Sequence, residues 1–66
     1  MAMTEEEAKT VVGLTVEEAE RQIEARGSHA VILWRDGVSF PITAKYDVER
    51  VGLHIEKGKV LGASVG

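Results

Sequence analysis

Val16, Ala19 and Ile23 recur at helical spacing while Glu17, Glu20, Arg21 and Glu24 are left for water. This one-sided pattern predicts a helix over 15–26. Thr15 is a natural N-cap, and Glu18 three residues on completes a Ser/Thr-x-x-Glu capping box. Gly27 ends the helix as the residue best suited to the left-handed position past a C-terminus. A second capping box, Thr4 with Glu7, predicts one short turn reaching Lys9, marginal by itself. Residues 1–10 are accordingly expected to be a flexible N-terminus, and Met1-Ala2-Met3 receives no structural role.

Downstream the period changes. Ala30-Val31-Ile32-Leu33-Trp34 is an unbroken apolar run rich in branched residues, which predicts a strand over 30–34 buried on both faces. Arg35-Asp36-Gly37 punctuates it. From Val38 to Lys45 there is no clean period, and Pro41 lacks a backbone donor, so the segment reads as an extended loop. Residues 48–56 alternate, with Val51, Leu53 and Ile55 on one side and Arg50, Gly52, His54 and Glu56 on the other. A tight turn at Glu56-Lys57-Gly58-Lys59 leads into a last strand over 60–65. The order is helix, strand, long loop, strand, hairpin, strand. It predicts a single α+β domain over 1–66, one helix covering one face of a small sheet. Pattern alone does not decide whether strands 30–34 and 48–56 run parallel.

Composition narrows the function more than the fold. With 66 residues the chain buries only about 60% of its unfolded surface, so the core is thin. There is no cysteine, which removes disulfides, thiolate zinc sites and a cysteine nucleophile. The net charge is −3, so a phosphate backbone gains little and nucleic acid is not an expected partner. The acids concentrate early: seven against three bases in residues 1–27, but four against five in 28–66. The acidic half reads as the solvated side of the helix. No apolar stretch approaches a membrane span, and no signal-peptide pattern opens the chain. The expected setting is therefore away from membranes: secreted if a leader has been removed, cytoplasmic otherwise.

Catalytic chemistry is sparse. His29 and His54 sit in different elements without a carboxylate pattern, Ser39 and Ser64 lack a nucleophile context, and the glycines never reach a phosphate-binding spacing. The expectation is no enzyme and no metal or other cofactor. What stands out is the length of Arg35 to Lys45, since loops that long in compact domains tend to be functional or disordered. Phe40-Pro41-Ile42-Thr43 is apolar and stiffened by proline, which argues against simple disorder. From pattern alone, Phe40 and Ile42 folding back on the core is an equally good account.

These residues also carry a resemblance. Val12-Gly13-Leu14-Thr15-Val16-Glu17-Glu18-Ala19 resembles the Val-Gly-x-Ser/Thr-Val-Glu-Glu-Ala helix start of the potato inhibitor I family of serine protease inhibitors. Pro41-Ile42-Thr43-Ala44-Lys45-Tyr46-Asp47-Val48-Glu49-Arg50-Val51 is similar to the family's binding loop and the strand after it, and Ser64-Val65-Gly66 to its Val-Gly ending. The likeness runs from about Val11 to Gly66 in order and spacing.

The resemblance implies a mixed sheet in which strands 30–34 and 48–56 pair in parallel, joined by an exposed binding loop over 35–46. It implies inhibition of a subtilisin- or chymotrypsin-like serine protease, elastase type included, by substrate-like insertion of the 38–47 loop, the inhibitor being a monomer. The carried-over binding loop is Pro41, Ile42, Thr43, Ala44, Lys45, Tyr46 and Asp47, with the reactive bond between Ala44 and Lys45. Arg50 and Gly66 are the implied loop support. Two positions depart from the family: Gly52 stands where a second supporting arginine is usual, and Lys45 where an acid is usual. The segment between Gly37 and Pro41 is about two residues longer than usual, and aligning from strand 30–34 instead moves the reactive position toward Ile42. The rival reading is a non-inhibitory interaction module on the same scaffold.

Overall fold

The computed structural model describes residues 3–41 and 47–66. Two helices, α1 (Glu5–Lys9) and α2 (Val16–Ala25), precede four strands: β1 (His29–Arg35), β2 (Val38–Ser39), β3 (Arg50–Glu56) and β4 (Lys59–Val65). The sheet order is β2-β1-β3-β4, with β1 and β3 parallel and the other two pairs antiparallel. The fold is a small α+β domain with a mixed sheet.

Local chemistry accounts for the helix ends. Thr15 extends as N-cap and its hydroxyl accepts the Glu18 N–H. Glu18 does not reach back to complete the box; its carboxylate takes Arg21, one turn on, at 2.9 Å. After α2, Gly27 sits at φ 82°, the Gly27 N–H donates to Glu24 and the Ser28 N–H to Ile23, so two last-turn carbonyls are satisfied.

The expected single helix is a pair. Both halves of the Thr4–Glu7 capping box form, and α1 is docked: Met3 and Ala8 are buried, as is Val11 just beyond. Three contacts distant in sequence tie it down. The Met3 N–H donates to the Ser28 hydroxyl, Arg26 pairs with Glu7, and a Glu5 carboxylate oxygen accepts the Val65 N–H. Met3 thus belongs to the core.

Val51, Leu53 and Ile55 of β3 are fully buried and meet Ala19 and Ile23 of α2, with Val60 of β4 completing the cluster. Each buried aliphatic side chain contributes about 1.5–3 kcal/mol. β1 is not buried on both faces as the sequence suggested. Its apolar residues are all half-buried, and only Ala30 and Ile32 of them pack against the core cluster of the described residues. Ala30 and Ile32 reach the core, a bulge interrupts the register between Ile32 and Trp34, and Leu33 lies on the second face over Gly52.

The segment expected as one loop from residue 35 also begins differently. Asp36 (φ 47°) and Gly37 (φ 86°) form a two-residue hairpin turn, so β2 folds back on the end of β1. Lys57 and Gly58 repeat the positive-φ pair between β3 and β4. The two turns are linked, since the Asp36 carboxylate accepts the Lys57 N–H at 2.8 Å.

Candidate functional site

Of the residues singled out by sequence, Pro41, Asp47, Arg50 and Gly66 are described. Ile42, Thr43, Ala44, Lys45 and Tyr46, with the expected reactive bond, lie outside the described residues. The described residues are the two shoulders of the loop and the strands below them.

The upstream shoulder is held by main chain. β2 pairs with Trp34 and Arg35, and the Phe40 N–H then donates to the Leu33 carbonyl at 2.9 Å. Phe40 is 43% exposed and Pro41 is exposed, so the shoulder stands on the sheet edge instead of folding back into the core.

The downstream shoulder is a turn organised by Asp47. Its side-chain Oδ1 accepts the Glu49 N–H at 2.9 Å, and its carbonyl accepts the Arg50 N–H at 3.1 Å. An aspartate bonding the backbone two residues on is a recurrent turn device. This turn takes up Val48 and Glu49, so β3 starts at Arg50 and not at residue 48. The Glu49 carbonyl accepts the His29 N–H at 2.8 Å, and His29 Nε2 lies 3.4 Å from Asp47 Oδ2.

Arg50 lies beneath this shoulder and is only 8% exposed, which is unusual for arginine. Its Nε donates to the Gly66 carbonyl at 3.2 Å, and the Gly66 N–H donates to the Arg50 carbonyl at 2.9 Å. Arg50 and Gly66 are therefore brought together, and Arg50 with Asp47. Gly52, where the resemblance leads one to expect a second arginine, is not an empty place. A Cβ on Gly52 would come within 2.9 Å of Leu33 Cγ, so glycine there admits a leucine from β1.

By sequence alone His29 lacks a carboxylate pattern, and Leu33 has no role beyond its strand. The Asp47-x-Glu49 spacing was the one local signal for the turn that His29 joins. Among the described residues no group of three side chains suits a metal ion, and no helix is long and apolar enough to cross a membrane. No model of a known protein family matches the chain, and no curated protein matches it.

Proposed function

We propose that this chain is an inhibitor of subtilisin- or chymotrypsin-like serine proteases, of the potato inhibitor I type, that presents residues 38–47 to the protease cleft as a substrate would lie. The observation that carries the reading is Arg50: a nearly buried guanidinium under the downstream shoulder, bonded to Gly66 and preceded by the turn that Asp47 closes. The parallel β1–β3 pair supports it too, because the connection between those strands must cross from one end of the sheet to the other. Anchoring both shoulders reduces the ordering cost of docking, and an extended segment gains affinity through main-chain bonds to a receptor strand. Ala44 offers a single methyl to the primary pocket, which suits a small pocket. The chain acts as a bound partner and performs no catalysis of its own.

Leu33 in the place of a second arginine favours the rival, a non-inhibitory interaction module, since one brace is then missing. Incubation with catalytic amounts of subtilisin, elastase or chymotrypsin separates them. The inhibitor reading expects protease protection and a mixture of intact chain with one species clipped between Ala44 and Lys45, identified by mass spectrometry. Cleavage at many sites, or no protection at any ratio, leaves the interaction module.

A further inference from the structure

We infer that His29 is a positioning residue for the downstream shoulder, gripping Asp47 and so holding the part of the chain that follows the reactive bond. The inference rests on the inhibitor reading and deepens it. An inhibitor of this kind must keep its cut ends in place, so that the amine freed at the cleaved bond can re-form the peptide instead of leaving. Upstream, the grip is the Phe40 N–H on the Leu33 carbonyl. Downstream, Asp47 makes three contacts. Those with the Glu49 and Arg50 N–H groups close a turn within Asp47's own neighbours. The third reaches across to β1, where His29 Nε2 faces Oδ2 at 3.4 Å. His29 is itself fixed to the same turn through its N–H on the Glu49 carbonyl. Both shoulders are thus referred to one strand, at Leu33 and His29, four residues and roughly 13 Å apart.

The contact sets an imidazole nitrogen against a carboxylate oxygen, so removing either partner removes it. Among the described residues, the neighbouring charged groups have the following contacts. Arg50, opposite His29 in the parallel register, directs its Nε to Gly66. Arg26, at the end of α2, pairs with Glu7. Glu49 meets His29 through its backbone carbonyl. Both partners are half-exposed, with side-chain exposures of 53% and 42%. The expected effect is therefore modest, about two- to fivefold.

The test compares the full chain with His29→Gln, Asp47→Asn and the double variant as a double-mutant cycle. Two readouts are taken: affinity for whichever protease is inhibited, and hydrogen exchange of the Glu49 and Arg50 amides in the free protein. Each single variant should bind about two- to fivefold more weakly than wild type, with faster exchange. The double variant should be no worse than the weaker single. Losses that simply add in the double variant, or unchanged exchange, overturn the positioning role. If no protease is inhibited, the inhibitor reading falls while amide exchange still judges the grip.

Discussion

Arg50 and Gly52 are two residues apart on the same face of β3, one carrying a long cation and the other no side chain at all. Arg50 brings a charge beneath the loop shoulder and ends it on the Gly66 carbonyl. A hydrogen bond from a charged donor contributes about 1.5–3 kcal/mol, so Arg50→Ala should weaken inhibition at least tenfold and speed cleavage at the loop. Gly52→Arg, the change that restores the family pattern on paper, should not tighten binding. Its Cβ must displace Leu33, at a cost of about 1–3 kcal/mol. Urea titration checks this, with Leu33→Ala in the same chain expected to recover part of the loss. A Gly52→Arg variant as stable as wild type would show that Leu33 moves freely. The sequence pointed to Arg50 only through the resemblance its neighbours carry. It was silent about Leu33, since an unbroken apolar run does not reveal which residue of another strand each side chain meets.

At the scale of elements, α1 shows what local signals convey and what they omit. The capping box was readable from Thr4 and Glu7, whereas its docking depends on Ser28, Arg26 and Val65, up to 60 residues away. The reverse happened at β2: the Asp36-Gly37 pair is a strong hairpin signal, but Pro41 and the aperiodic residues after it made the whole stretch read as loop. α2 and the alternation of β3 were legible because their burial faces one core on one side. α1 also carries a pH dependence. The Thr4 backbone N–H, outweighing desolvation and joined by the Arg26 charge, holds the Glu7 carboxyl below its ordinary value of 4.5. A carboxyl lowered in the folded state stabilises fully above its unfolded value, and that gain is lost as pH falls through the folded one. Glu7→Gln should therefore differ from wild type near neutral pH and converge with it as pH falls through the lowered folded-state value of Glu7. Exchange of the Ala8 amide, which donates to the Thr4 carbonyl, reports this directly. A constant gap across the acid range would detach the effect from Glu7.

For the whole molecule, the strand order leaves β4 as an outer strand, and the N-terminal third of the chain runs along it. Val60 exchanges backbone bonds with Gly13 and Leu14, Thr15 bridges to Lys59, and at the far end Glu5 receives the Val65 N–H. An outer strand is a template for pairing with another chain, and a charge placed on it is one way that proteins prevent such pairing. Any intruding strand must strip water from the Glu5 carboxylate and then leave it unpaired. Glu5→Ala, which leaves the buried side chains intact, should thus raise concentration-dependent self-association in sedimentation velocity, and a variant as dispersed as wild type would locate the protection elsewhere. Under the proposed inhibitor reading, a segment made to dock on other proteins gives the molecule reason to keep its other strands inhospitable. On this account the acidic N-terminus serves colloidal solubility, letting one part of the surface be sticky without the molecules sticking to one another.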